Sequence, residues 1–265
     1  MVVAKNVLIF DSGVGGLSVY QEIQSLLPEL QYTYVFDNAA FPYGELDSDV
    51  LIKRTSAIVE HFVLSDHVDI VVIACNTAST IVLPTLREML SIPVVGVVPA
   101  IKPAALGSTK KCIGLLATPA TVERDYTYEL VEQFANGVEV VMMGSTRLVE
   151  MAEDKLRGEK PDLEELAFIL KKWVGLVDSI VLGCTHFPLL KEEIQAVMGK
   201  DVKMVDSGFA IAKRVKSLLE SEMRSSEEIF NRVYCSAATK NEAALNRSLY
   251  SMKLSRVTHL NLPGL

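Results

Sequence analysis

Two cysteines in this chain occupy the same kind of local setting: Ile70-Val71-Val72-Ile73-Ala74-Cys75-Asn76-Thr77 and Ile180-Val181-Leu182-Gly183-Cys184-Thr185-His186. Each follows a short aliphatic run and precedes amides or hydroxyls. Such a run reads as a buried parallel strand, and open α/β sheets present their ligands at the carboxyl ends of those strands. A cysteine after Val and Ile is more often a small core side chain than a reagent. Cys112 and Cys235 fit that core reading, with no polar run of the same kind after them. Cys75 and Cys184 depart from it, because polar groups follow both and because the pattern is repeated.

The elements that carry these two thiols are themselves repeated. Val7-Leu8-Ile9-Phe10-Asp11-Ser12-Gly13 aligns with Ile113-Gly114-Leu115-Leu116-Ala117-Thr118-Pro119, and Tyr34 to Asn38 aligns with Val140 to Gly144. Cys75 and Cys184 lie 109 positions apart, and Val94 to Pro99 aligns with Val202 to Ser207. Four strands in one order at nearly one offset indicate a duplication of whole domains, since solenoid repeats are far shorter. Helical patterns lie between them at Leu17 to Leu27, Leu51 to Leu64 and Leu163 to Val174, the last with Pro161-Asp162 at its start and Glu165 placed as a capping-box partner. The expected fold class is therefore α/β, with two pseudo-duplicated domains, each a mainly parallel sheet flanked by helices, and the active site at their interface. Phe209 to Leu219 reads as a further helix, and strand-like runs at Arg232 to Cys235 and Val257 to Leu260 have no counterpart in the second copy. They are expected to return to the first domain, which gives residues 1–98 plus 209–265 for the first and 99–208 for the second.

Composition narrows the functional classes. The 265 residues are 49% hydrophobic, enough for sizeable cores. A formal charge of −7 and a pI near 5.2 argue against non-specific nucleic-acid binding, and no nucleic-acid partner is expected. No apolar run approaches the length of a membrane span, and the amino terminus lacks a charged-then-apolar signal segment, so a cytoplasmic location without membrane contact is expected. The cysteine spacings of 37, 72 and 51 residues fit neither a disulfide framework nor CxxC zinc sites. Lys5, Lys53, Lys102, Lys110 and Lys111 have no evident Schiff-base context.

Asp11-Ser12-Gly13-Val14-Gly15-Gly16 follows the first strand and opens a helix. Its glycines allow a tight turn and are expected to leave backbone N–H groups free for an anion such as a carboxylate. The loop has neither the GxGxxG spacing of a dinucleotide site nor the GK[ST] of a phosphate loop. Phe41-Pro42-Tyr43-Gly44 is a second tight turn after a strand, which on its residues alone could equally be an ordinary loop. Together with Asp37-Asn38, Ala74-Cys75-Asn76-Thr77-Ala78-Ser79 and Gly183-Cys184-Thr185-His186-Phe187-Pro188, these segments closely resemble the glutamate racemase family within the aspartate/glutamate racemase superfamily. The resemblance runs in order from the first strand to about Val215.

That resemblance implies an isomerase: cofactor-independent interconversion of L- and D-glutamate, which supplies D-glutamate for peptidoglycan and cell-wall synthesis and so for cell shape. The chemistry agrees, because racemisation needs acid/base groups on opposite faces of a planar carbanion, and two equivalent thiols across an interface supply them. By position in the family pattern, Cys75 and Cys184 are the acid/base pair, Asp11 assists Cys75, and His186 with Glu153 assists Cys184. Glu153 is chosen over Glu150 because the family glutamate follows a Leu-Val pair by four residues, here Leu148-Val149. On residues alone, His186 also fits a hydrogen-bonded strand-end histidine, and Glu153 a solvated helix face. The same comparison places glutamate on Asp11, Ser12, Tyr43, Gly44, Asn76, Thr77, Thr185 and His186, with Thr118 and Thr121 as further hydroxyl contacts. No metal or cofactor is expected, and the assembly is left open to a homodimer. A racemase for aspartate or another amino acid, or a two-lobed amino-acid binding protein with inert cysteines, remains as the alternative.

Overall fold

The computed structural model describes residues 4–219 and 230–262. The first lobe begins with β1 (Asn6–Asp11), α1 (Leu17–Leu26), β2 (Gln31–Phe36), α2 (Ser48–Ser65), β3 (Ile70–Ile73), α3 (Asn76–Met89) and β4 (Val94–Gly96). The chain then enters the second lobe through α4 (Ile101–Gly107), β5 (Cys112–Ala117), α5 (Pro119–Val122), α6 (Asp125–Phe134) and β6 (Glu139–Gly144). That lobe continues with α7 (Thr146–Leu156), α8 (Leu163–Leu170), β7 (Ser179–Leu182), α9 (Lys191–Met198) and β8 (Lys203–Val205). The last elements are α10 (Gly208–Leu218), β9 (Arg232–Cys235), α11 (Glu242–Ser251) and β10 (Val257–His259).

Among the described residues every strand pairing is parallel, and the two sheets repeat one another. The first has the order β10-β9-β2-β1-β3-β4 and the second β6-β5-β7-β8. Thus β2-β1-β3-β4 and β6-β5-β7-β8 have one topology, as the sequence repeat implies. β9 pairs with β2, from Thr33↔Arg232 to Phe36↔Cys235, so the segment after β8 extends the first sheet.

Alternation along the strands builds a core on each face of each sheet. Val7 and Ile9 of β1 pack on one side with Tyr20, Ile23 and Val215, while Leu8 and Phe10 pack on the other with Ile58, Phe62 and Val82. In the second lobe Ile180 and Leu182 join Leu148, Leu166 and Trp173, and Val181 joins Ile101 and Ala104 on the opposite face. Because both faces are covered, the central strands are continuous apolar runs and not alternating ones. Cys112 and Cys235 are buried in these cores, and Cys112 sits at the start of β5, far from the strand end that carries function.

Two local expectations are corrected. The pattern to Val174 is not one helix: α8 stops at Leu170, a 3₁₀ turn covers Lys171–Trp173, and Gly175 follows at φ +77°. Asp162 does cap α8, accepting from the backbone N–H groups of Glu164 and Glu165. Glu165 does not complete the box, because its carboxylate is held by Arg147 of α7 at 2.8 and 3.0 Å. Among the described residues, no helix is long and apolar enough to cross a membrane.

Candidate active site

Cys75 and Cys184 each lie two residues beyond a strand, β3 and β7. These strands hold the same position in the two sheets, so the thiols are brought to one cleft between the lobes. The cavity there has a volume of about 130 Å³ and is lined by both cysteines. Ser12, Tyr43, Gly44, Asn76, Thr77, Thr118, Thr185 and His186 also line it. Asp11, Glu153 and Thr121 stand behind the lining, where each is buried and bonded to a lining residue or its loop. Sequence reasoning passed over Thr146, Val149, Pro119 and Ala120, which also face the cavity. Their only signal is position: they open the segments that follow β5 and β6, at the same carboxyl edge.

The surroundings of the two thiols differ. Cys75 sits at the start of α3, a 14-residue helix, and its Sγ is 3.8 Å from Ser12 Oγ. Burial pushes this thiol well above the ordinary cysteine range, and the Asp11 charge pushes it the same way; the Ala78 backbone N–H acts in the other direction. Asp11 reaches it through Ser12, whose hydroxyl is 3.5 Å from Asp11 Oδ1. Cys184 is followed instead by a 3₁₀ turn at Phe187–Leu190, which turns His186 back so that Nδ1 is 3.7 Å from Cys184 Sγ.

His186 is 2% exposed, and its Nε2 is 2.7 Å from Glu153 Oε1. Burial works against the charged imidazole, but the hydrogen bonds and charges of Cys184 and Glu153 outweigh it and hold the ring well above its ordinary value. Burial likewise opposes ionisation of Glu153, and His186 and Arg157 overcome it, leaving the carboxyl below its usual range. An imidazolium beside a sulfur is the arrangement that activates a thiol in Cys–His pairs. Glu153 is thus no solvated face: α7 turns it inward while Glu150 points out to Arg147.

The glycine loop has a different job from the one expected of it. Its N–H groups do bind carboxylates, but these belong to the protein. Asp11 accepts from Ser12 N at 2.7 Å and Gly16 N at 2.6 Å, and Glu153 accepts from Val14 N at 2.7 Å. The last bond joins the lobes. A Cβ on Gly13 would lie 2.3 Å from Glu153 Oε1, and one on Gly15 would lie 2.3 Å from His186 Nδ1. The loop is therefore a seat without side chains for the His186–Glu153 pair of the second lobe. A second tie across the lobes, Ser18 Oγ donating to Thr185 O at 2.7 Å, holds the strand end that bears Cys184.

The polar groups of a largely apolar lining suit an anion with few opposing charges. Asn76 Nδ2 is buried and finds no acceptor among the described residues, which marks a donor aimed at a ligand. The hydroxyls of Thr77, Thr118 and Thr121 form a cluster, with Thr118 Oγ1 3.5 Å from Thr77 and 2.9 Å from Thr121. Tyr43 closes the near side, its hydroxyl donating to Asp37 at 2.7 Å, while Arg54 clamps the same carboxylate at 2.7 and 2.8 Å. Among the described residues, no lysine lines this cavity.

Duplicated parallel sheets that bring two thiols to one cleft between the lobes define a site of the racemase kind. The sequence pattern of the Asp/Glu/Hydantoin racemase family matches residues 8–215, and the chain belongs to that family. A glutamate racemase of Aliivibrio salmonicida (strain LFI1238) is 58% identical over 260 residues, covering 98% of this chain and 97% of its own. That of Vibrio cholerae serotype O1 is 58% identical over 251 residues, covering 95% and 94%. Among solved structures, Escherichia coli glutamate racemase in complex with L-glutamate and the activator UDP-MurNAc-ala is similar at a TM-score of 0.93 and 47% identity, over 99% of this chain and all of that one.

Proposed function

We propose that this protein is a glutamate racemase in which Cys75 and Cys184 exchange the α-proton of glutamate from opposite faces. One observation carries the reading: the two thiols stand at equivalent strand ends and face one cavity between the lobes. In the direction from L-glutamate, Cys184, as thiolate beside the His186 imidazolium, removes the α-proton. Cys75, kept as a thiol by burial and by the nearby Asp11 charge, delivers a proton to the other face. The reverse reaction interchanges the roles. Asp11 then takes the proton of Cys75 through Ser12, and His186 shares that of Cys184. Negative charge developing on the substrate is met by donors already in place, among them Asn76 Nδ2 and the first N–H groups of α3. The Thr118 hydroxyl, backed by that of Thr121, is suited to the distal carboxylate.

The product D-glutamate is a peptidoglycan building block, and its supply is the biological role this reading assigns. The thiols and the donors named above account for the proton transfers without a bound cofactor. Dialysed protein should interconvert L- and D-glutamate, followed by optical rotation, without added pyridoxal phosphate or metal. Cys75→Ala and Cys184→Ala should each abolish racemisation. Retained turnover in either folded variant would end the two-thiol mechanism. L-Aspartate should be a much poorer substrate, because a chain one methylene shorter leaves buried polar groups unpaired; comparable kcat/KM would shift the assignment toward an aspartate racemase.

A further inference from the structure

Arg157 lies at the carboxyl end of α7, one turn beyond Glu153, and its side chain is 11% exposed. Its Nη1 donates to Glu153 Oε2 and, at 2.8 Å, to the Glu153 carbonyl. The rest of the guanidinium is anchored on the segment between β9 and α11: Nη2 on Thr239 Oγ1 at 3.0 Å and Nε on the Lys240 carbonyl at 3.1 Å. Asn241 closes the arrangement by donating to the Arg157 carbonyl at 2.9 Å. The same segment is fastened to the first lobe, since Asn38 bonds Ala237 through both its amide groups and Ser236 donates to Asp37.

Glu153 therefore has a division of labour between its two oxygens. Oε2 is occupied by Arg157, and Oε1 accepts from both His186 Nε2 and Val14 N. A free carboxylate would rotate, and a planar guanidinium that fixes one oxygen sets the direction of the other. We infer that Arg157 is a positioning residue of the Cys184 half-site: by fixing one oxygen of Glu153 it aims the other at His186, and the Thr239–Lys240 segment holds it there. The inference rests on the two-thiol reading above, and its test separates the two.

Enantiomers have equal energy in water, so the equilibrium constant is one and kcat/KM must be the same in both directions for every variant. A defect on one face is therefore invisible in the ratio of forward and reverse efficiencies. The α-deuterium isotope effects can show it. If the barrier at Cys184 rises, C–H cleavage becomes more rate-limiting for the enantiomer that Cys184 deprotonates, and its isotope effect grows. For the other enantiomer, cleavage by Cys75 becomes reversible before a slow reprotonation, and its isotope effect shrinks.

Cys75→Ser and Cys184→Ser, assayed with α-deuterated L- and D-glutamate, give the reference: the two variants should move the pair of isotope effects in opposite senses. Arg157→Met should lower kcat/KM by at least about tenfold and shift the pair in the sense of Cys184→Ser. Arg157→Lys should return part of the rate, and Thr239→Val, which removes one anchor, should give a smaller shift of the same sense if Arg157→Met proves too unstable to assay. A loss of rate with both isotope effects unchanged, or a shift in the sense of Cys75→Ser, overturns the inference and leaves Arg157 a merely structural residue. If the two cysteine variants fail to separate, the two-thiol reading itself falls, and this is seen without any Arg157 variant.

Discussion

Burial raises the Asp11 carboxyl from 3.8 to about 6, with the His186 charge acting against the shift. The group holds its proton to a higher pH in the folded chain than in the unfolded one, so its neutral form stabilises the fold below about pH 4, and this is lost as pH rises through about 6. Function needs the opposite state, since only the carboxylate can receive a proton from Cys75. The kcat/KM for glutamate should accordingly rise with pH through about 6, and Asp11→Asn should be slow with that rise removed; a wild-type rate flat from pH 5 to 7 would count against the assignment. Much of this site was legible in the sequence because each thiol is announced locally, by a strand run before it and polar residues after it. Glu153 was reached only through the family resemblance, because what makes it functional is the direction in which α7 faces and a bond to Val14 of the other lobe, neither of which has a local signal. Ser12 was assigned to substrate contact, but its place between Asp11 and Cys75 depends on a side-chain geometry that composition does not encode.

At the scale of elements, the loop from β1 to α1 and the turn after β7 are a matched pair. One offers bare backbone; the other offers a histidine ring to rest on it. Gly15→Ala should therefore act on the second lobe's chemistry and not on the loop's own conformation, because its new methyl meets the His186 ring, which is buried and held by Glu153. We expect a large loss of kcat together with a fall in melting temperature, since overpacking a buried contact costs about 1–3 kcal/mol. Gly107→Ala is the control, since a Cβ there lies away from the cavity, finds nothing within 4 Å and should leave both almost unchanged. Equal effects from the two substitutions would show that the seat is not specific. The strands were readable because fully buried parallel strands are continuous apolar runs, and duplication made each strand support the other copy; their order within the sheets was not read. The end of α8 was misread, because Trp173 and Val174 keep the helical period while the backbone has already tightened ahead of Gly175.

For the molecule as a whole, the Asp37 carboxylate is a fastening point where β2, α2 and the segment after β9 meet, through Arg54, Tyr43 and Ser236. Burial opposes its charge, but these three partners hold it below the usual range, so its contribution is present above about pH 4 and is lost as pH falls through a lower folded value. Arg54→Met leaves this charge buried and unpaired and should cost about 3–5 kcal/mol at neutral pH. Denaturant titrations should show the deficit narrowing as pH falls, because Asp37 becomes protonated in the variant before it does in the wild type. The route of the chain through the two sheets has a bearing on synthesis. The second sheet is built from one uninterrupted stretch, whereas the first waits for β9 and β10, which leave the ribosome after everything else it pairs with. A nascent chain thus holds β2 as an open edge throughout translation of the second lobe, and long-range parallel pairing is slow and exposed to aggregation. Stalled chains released just before Arg232 should bind holdase chaperones through that edge, and chains released after His259 should not.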